Sequence, residues 1–263
     1  MTNPRKANLE SLGFKTDSGG GHDARTMMSE DIAVLFTSIS EDATTQEYDH
    51  AILEDNVLGK NTDSNRKKSL GYLKRIYSLD PENAVFRCFR FFAYAEPGEI
   101  HQLALLCSHA RDPLLAAIAP FYLKLPVGRN LAREKVEEAI EELRPDQYSY
   151  KMKRSMAQNL SSSFTHAGYL RGKAKKERVI PNTGPAATAY AMLLAYLSGK
   201  RGQSLFESSY CKLLDRMSSQ LESNAHNASL RGWLSYRSAG GVIDVAFPDL
   251  LTSEEIALSN GQD

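Results

Sequence analysis

The sequence predicts a mainly α fold with two helical domains of helix-turn-helix or winged-helix character and two short β-hairpins. Three observations lead to this prediction. A 3.6-residue period of apolar side chains dominates the chain from Arg25 onward. Strand signals are few and come in neighbouring pairs, and each pair follows a helical segment directly. A helix followed at once by a hairpin favours winged-helix modules, although a plain helical bundle with two small hairpins also fits the pattern.

The first 24 residues are polar and glycine-rich, and we expect residues 1–24 to form a flexible or loosely packed arm. Two domains are predicted after it: a helix-turn-helix-like domain over 25–126 and a winged-helix-like domain over 127–263. The boundary lies in LPVGRN, 125–130, because its proline and glycine interrupt two helical regions.

Apolar periodicity and capping residues predict eleven helices along the chain. The predicted helices are 25–39, 45–56, 64–78, 84–94, 99–110, 113–123, 131–143, 150–167, 186–198, 204–216 and 218–231. Pro120 is expected to kink or end the helix at 113–123, because proline cannot donate the backbone hydrogen bond.

Two hairpins complete the fold, one pairing 169–171 with 178–180 and the other pairing 234–236 with 242–246. In the second hairpin, Gly240 and Gly241 supply a turn whose backbone needs positive φ.

The bulk composition excludes several classes of protein. The chain has 263 residues, of which 42% are hydrophobic, and this is enough for one or two ordinary cores. It has no apolar stretch of bilayer length and no apolar core of a secretory signal at its start, so we expect a cytoplasmic protein without a membrane partner. The three cysteines are widely spaced and odd in number, and we expect buried, reduced thiols.

Charge is unevenly distributed along a chain whose formal net charge is zero. Residues 1–60 hold 5 basic and 11 acidic side chains, residues 61–178 hold 21 and 13, and residues 179–263 hold 6 and 8. The middle section therefore predicts a local positive surface on a neutral molecule.

No motif predicts an active site. Residues 59–62, GKNT, resemble the end of a phosphate-binding loop but lack the preceding glycine and the hydroxyl residue after the lysine. The six histidines show no metal-ligand spacing, and neither a nucleophile elbow nor a catalytic-thiol signature is present. The acidic run EKVEEAIEEL, 134–143, is typical of a solvated helix face. We therefore predict a protein that is not an enzyme, with no catalytic residue, metal or cofactor.

The first basic element is the helix at 64–78. A helical wheel places four residues on one apolar stripe that should face a core: Leu70, Leu73, Ile76 and Tyr77. The opposite side surrounds Gly71, whose missing side chain would let a ligand approach the backbone. The candidate nucleic-acid-binding residues of this element are Arg66, Lys67, Lys68, Lys74 and Arg75.

The second basic element is the helix and hairpin at 150–178. Residues 147–178 hold 8 basic side chains against 1 acidic one, and Met152, Met156, Leu160 and Phe164 recur at the spacing of a buried stripe. Long cations suit phosphates, and an amide suits a base edge. The candidate residues on the helix are Lys151, Arg154, Gln158, Ser161 and Thr165, and those on the hairpin are Arg171, Lys173, Lys175, Lys176 and Arg178.

Duplex DNA is the expected ligand, because aromatic side chains suited to stacking on single-stranded bases are sparse in both elements. Two other interpretations remain open. One is a protein-interaction adaptor whose basic faces contact acidic partners, and the other is an RNA-binding helical bundle.

Four segments together resemble the BrxA family of bacteriophage-exclusion (BREX) defence systems. They are EYDHAILEDNVLGKNTDSNRKKSLGYLKRIYSLDP, ARDPLL, RSMAQNLSSSFTHAGYLRG and SAGGVIDVAFPDLL. In order and spacing, the resemblance covers most of the chain, from about Arg25 to Leu251. The resemblance implies a small, mostly helical, non-enzymatic component with helix-turn-helix-like domains that binds double-stranded DNA. It also implies partners within the defence system, among them a methyltransferase and an ATPase.

Overall fold

The computed structural model describes residues 4–16 and 20–261, and these residues form a mainly helical fold, as predicted. The helices are α1 (Pro4–Ser11), α2 (Ser29–Ser38), α3 (Thr45–Leu53), α4 (Asp63–Tyr77), α5 (Ala84–Ala95), α6 (Ile100–Arg111), α7 (Pro113–Lys124), α8 (Arg133–Leu143), α9 (Tyr150–His166), α10 (Pro185–Leu197), α11 (Ser209–Leu213), α12 (Ser218–Leu230) and α13 (Ser253–Ser259). The strands are β1 (Asn130–Leu131), β2 (Leu170–Arg171), β3 (Lys176–Arg178), β4 (Ser235–Ala239) and β5 (Val242–Ala246).

Local capping explains where several helices begin. Thr44 and Glu47 form a reciprocal capping box before α3, and the side chains of Thr62 and Ser149 accept first-turn amides of α4 and α9. Helix α2 begins four residues later than predicted, because Met28 has a left-handed φ of 50°. Pro120 does not end α7, which continues to Lys124 with Tyr122 fully buried, so packing offsets the lost hydrogen bond.

Helix α10 lies at the centre of the core. Twelve of its residues, Ala186 to Leu197, are buried, which is typical of a helix that is apolar on all sides. The Tyr190 hydroxyl donates to the Val85 carbonyl at 2.9 Å, and Glu99 accepts the first-turn amides of α10. Helices α5 and α6 from the predicted N-terminal domain therefore share one core with α10 from the predicted C-terminal domain. A boundary between residues 126 and 127 is not apparent in this packing.

Two small antiparallel sheets are present. The predicted hairpin at 234–246 is found as β4 paired with β5, with Gly240 and Gly241 at φ of 58° and 81°. The other hairpin is found as β2 paired with β3, but β3 lies two residues earlier than the predicted strand at 178–180. Strand β1, which the sequence did not predict, joins it to give the order β1-β3-β2. The segment from α7 to β3 thus runs α7, β1, α8, α9, β2, β3.

The described part of the predicted N-terminal arm packs against the rest of the protein. Leu12 is 1% exposed, Phe14 is 6% exposed and His22 is fully buried, which differs from the loosely packed arm that the composition predicts. Residues 17–19 of that arm lie outside the described residues. The glycines of this arm allow a close approach, because a Cβ at Gly20 would lie 1.7 Å from the Asp112 carboxylate.

Within the described residues, no helix combines the length and the apolar character that crossing a bilayer requires. The three cysteines are unpaired and buried, as predicted, and burial raises the pKa of each thiol, to about 12 for Cys88 and Cys211 and about 11 for Cys107.

Candidate nucleic-acid interface

Helix α4 buries the predicted apolar stripe, since Leu73 and Tyr77 are fully buried and Leu70 and Ile76 nearly so. Its opposite face carries the predicted cations, but only Lys67 and Lys68 are exposed without an ion pair to a described residue. A Cβ added at Gly71 would meet nothing within 4 Å, so the backbone is open to solvent there.

The other three cations of α4 are engaged within the protein. Lys74 lies 2.6 Å from the Asp49 carboxylate and Arg75 lies 2.8 Å from the Asp23 carboxylate. Arg66 pairs with Asp63 and donates to the Leu53 carbonyl. These contacts neutralise the charges of the three side chains within the protein. The three side chains therefore add less positive potential to the surface than the sequence predicts.

Helix α9 has a buried face and an exposed face, as predicted, but Met152 and Ser161 lie on the opposite faces from those predicted. Met156, Leu160 and Phe164 are fully buried, whereas Met152 is 45% exposed. Ser161 is 5% exposed, and its hydroxyl lies 3.0 Å from the Tyr122 hydroxyl of α7. Ser161 is therefore a packing residue and does not belong to the exposed face. Lys151, Arg154 and Gln158 are exposed there.

The β2–β3 hairpin presents Lys173 and Lys175 at its turn, exposed and without an ion pair to a described residue. Arg171 lies 3.2 Å from Glu177 on the neighbouring strand. Lys176 donates to the Thr165 hydroxyl at 2.7 Å, and burial lowers the pKa of Lys176. Lys176 and Thr165 thus fasten the hairpin to the end of α9.

Arg178 is a core residue, not a surface residue, since it is only 1% exposed. Its guanidinium donates to the carbonyls of Tyr122 and Tyr169, lies 5.5 Å from the Tyr169 ring centre, and pairs with Asp215. A buried guanidinium needs such partners, because its charge is costly to remove from water. In this conformation the Arg178 side chain is therefore held in the core, and Arg178 is left out of the candidate surface.

We call the remaining predicted residues the candidate surface, and they are Lys67, Lys68, Lys151, Arg154, Gln158, Lys173 and Lys175. Sequence reasoning missed Arg129, which is exposed directly before β1 and has no ion pair to a described residue. Its backbone carbonyl accepts the Arg178 amide, so Arg129 borders the same sheet as the hairpin. Arg129 lies in the predicted boundary segment LPVGRN, and nothing in that segment predicts that β1 places Arg129 beside the hairpin.

The segment 20–29, which we call the strap, ties α4 to α9. Toward α4, Asp23 pairs with Arg75, Met27 accepts from the Tyr77 hydroxyl, and the guanidinium of Arg25 lies 5.2 Å from the Tyr72 ring centre. Toward α9, the His22 carbonyl accepts from the Asn159 amide at 3.2 Å. The two predicted basic elements are thus held by a segment whose first half, residues 20–24, the sequence placed in a loose arm.

The strap is anchored by a buried polar network. His22 Nδ1 lies 2.8 Å from Asp112 Oδ2, and His22 Nε2 lies 2.9 Å from Ser163 Oγ. Asp112 also accepts the amides of His22, Leu114 and Leu115, and Ser163 Oγ accepts the Met27 amide. Despite desolvation, these contacts hold the pKa of the Asp112 carboxyl far below its usual range.

This Asp–His–Ser arrangement has the connectivity of a catalytic triad but not its accessibility. His22 and Ser163 are both fully buried, and the Ser163 oxygen already accepts a backbone amide. A substrate carbonyl has no route to that oxygen in this conformation. The network therefore fixes the strap between α7 and α9.

Helix α8 borders α9 with an acidic face. Lys153 of α9 pairs with Glu141, while Arg133 and Lys135 of α8 pair with glutamates of their own helix. A backbone hydrogen bond at the start of α8 lowers the pKa of Glu134, and the nearby charges of Arg133 and Arg154 add to this effect. One flank of α9 is thus acidic, as the sequence predicts for 134–143.

Comparison with protein-family models finds no match, and comparison with curated proteins finds no significant relative.

Proposed function

We propose that this chain is a non-enzymatic double-stranded DNA-binding protein, with α9 as its groove-reading helix and the β2–β3 hairpin as a flanking wing. The observation that carries the proposal is the succession α7, β1, α8, α9, β2, β3 with the sheet order β1-β3-β2. This succession supports the assignment of a winged-helix module, in which α9, the helix before the wing, would enter the major groove.

The side chains of these elements fit that arrangement. Exposed Lys151 and Arg154 supply phosphate contacts, and exposed Gln158 supplies an amide for a base edge. Lys173 and Lys175 extend from the wing, where the flanking backbone would pass. In this proposal the module spans α7 to β3 and therefore crosses the boundary that the sequence suggested.

We further propose that the protein acts as an accessory component of a BREX-type phage-defence system, beside a methyltransferase and an ATPase. This part rests on the resemblance of four sequence segments to the BrxA family. Co-purification from a host carrying the complete defence system tests it, and the absence of every system component from the eluate would contradict it.

DNA binding is tested by fluorescence anisotropy with a labelled duplex over a range of salt concentrations. The quadruple variant Lys151→Gln, Arg154→Gln, Lys173→Gln, Lys175→Gln should bind more weakly at every sequence. The steepness of log K against log salt should fall by about one for each phosphate that the variant no longer neutralises.

The matched control is Lys200→Gln, Lys212→Gln, because both lysines are exposed and have no ion pair to a described residue. It changes net charge outside the candidate surface and should leave the slope unchanged. Because the control removes two charges and the quadruple variant removes four, an equal loss of affinity per charge removed would mean that net charge alone governs binding. Salt-insensitive binding, or no binding of the unmodified protein at low salt, would refute the proposal.

A second function, that of a protein-interaction adaptor, is supported by the flank of α9 near α8. Leu143, Tyr150 and Met152 are 42%, 66% and 45% exposed, beside the glutamates of α8. An exposed apolar patch that is bordered by charged side chains is typical of a protein–protein contact, and it does not suit the phosphate backbone of DNA. Partner retention that survives nuclease treatment and is lost in Tyr150→Ser, Met152→Ser would favour the adaptor over the DNA-binding protein.

A further inference from the structure

A polar cleft of about 550 Å³ separates α4 from α9. Its walls are the strap and the start of α2, residues 59–61, Asn65 and Ser69 of α4, and Asn159 and His166 of α9. The volume falls within the range of small-molecule sites. The cleft also contains Gly59, Lys60 and Asn61, which belong to the GKNT segment that only partly resembles a phosphate-binding loop.

The charges in the cleft leave one cation without an acidic partner. Asp31 lies 2.6 Å from Lys60, and Glu30 lies 3.4 Å from His166. Arg25 is exposed, rests against Tyr72, and forms no ion pair with a described residue. A planar guanidinium held against an aromatic ring is preorganised for two parallel hydrogen bonds to a phosphate.

The rest of the lining is rich in amides. Asn61 and Asn65 are exposed and their side chains form no hydrogen bond to a described residue, and the Asn159 amide nitrogen is bonded to the strap. An asparagine side chain both donates and accepts, which matches the N6 and N7 atoms of adenine. The cleft therefore combines a phosphate-binding cation with groups that suit a purine base edge.

We propose that this cleft binds one adenine nucleotide, with its phosphate on Arg25 and its base against the amides of Asn61 and Asn65. The nucleotide comes either from solution or from an extrahelical position in DNA held along α9. Binding of a nucleotide within DNA rests on the proposed DNA-binding function, whereas binding of a nucleotide from solution does not.

The proposal is tested on the full chain with deoxyadenosine monophosphate, by calorimetry, and with two labelled duplexes, one intact and one carrying a single extrahelical adenine. Arg25→Gln and Asn65→Ala should each weaken nucleotide binding about tenfold or more, as expected for the removal of a charged or bidentate interaction. Asn65→Ala keeps the fold intact, because alanine is the better helix former at this exposed position. Lys212→Gln is the control and should bind like the unmodified protein.

If the free nucleotide binds and the two duplexes bind equally, the ligand comes from solution. If the extrahelical adenine raises duplex affinity and Arg25→Gln removes that gain, the ligand comes from DNA. Nucleotide binding that persists while intact-duplex binding is absent supports the cleft and refutes only the DNA-binding function. No binding of the nucleotide and no gain from the extrahelical adenine would overturn the proposal, as would binding by inorganic phosphate as tight as that by the nucleotide.

Discussion

Replacing Asp112 by asparagine should destabilise the protein by about 1–3 kcal/mol at pH 7. One carboxylate oxygen caps α7 through the amides of Leu114 and Leu115, and asparagine can keep this cap because Asn and Asp are equally good N-caps. The other oxygen accepts the His22 amide at 3.0 Å and lies 2.8 Å from His22 Nδ1. With the cap kept, the asparagine NH₂ takes the second position and faces the His22 donors, and a buried unsatisfied donor costs about 1–3 kcal/mol.

The pH dependence of this loss has a definite sign. Because the folded-state pKa of Asp112 is depressed, its stabilisation is present above the unfolded-state pKa of about 4 and is lost as the pH falls below it. The difference in unfolding free energy between the unmodified protein and the variant should stay constant between pH 5 and 8 and shrink below pH 4.

Urea titrations followed by circular dichroism and Trp233 fluorescence measure this difference, and hydrogen exchange over residues 20–29 reports whether the strap loosens. Asp63→Asn is the matched control, since Asp63 is 78% exposed and its surface ion pair with Arg66 contributes about 0–1 kcal/mol. A variant at Asp112 that stays within about 0.5 kcal/mol of the unmodified protein, with unchanged exchange in the strap, would refute the role of the network.

Three further predictions concern residues outside the strap. Burial lowers the pKa of His109 to about 4, so the fold is most stable with neutral His109 above pH 6.5 and loses this stability as the pH falls toward 4. The unmodified protein should therefore lose about 2 kcal/mol of unfolding free energy between pH 7 and pH 5 through His109, and His109→Gln should remove this loss. An unchanged pH profile in denaturant titrations of the variant would contradict this. Gly71→Ala should stabilise α4 by about 0.5–1 kcal/mol, because the added Cβ meets nothing within 4 Å; a lower melting temperature would show that the site is not open. Arg178→Met should cost about 3–5 kcal/mol by leaving Asp215 and the buried carbonyls without their donor, and a loss of DNA affinity with full stability would instead return Arg178 to the binding surface.

Much of the fold follows from local chemistry. The stripe of α4 and the glycine turn of β4–β5 depend on residues close together in the chain, and sequence reasoning predicted them. Helix α1 was missed, because its segment is polar and glycine follows it. The strand β1 was missed as well, because two residues carry no periodicity and only pairing with β3 makes them a strand.

What the sequence determined by itself is the helical fold class, the buried faces and the concentration of positive charge between residues 61 and 178. Only the tertiary structure decided which of those charged side chains are exposed and unpaired, and so able to contact a ligand. Lys74, Arg75 and Arg178 find their carboxylates 25, 52 and 37 residues away, and no local pattern encodes such distances. The same holds for the strap, which passes between α4 and α9 because His22 meets Asp112 and Ser163 across 90 and 141 residues. Burial and ion pairing depend on neighbours that folding brings together, and for this reason the candidate surface is smaller than the sequence predicts and the cleft beside it was not foreseen.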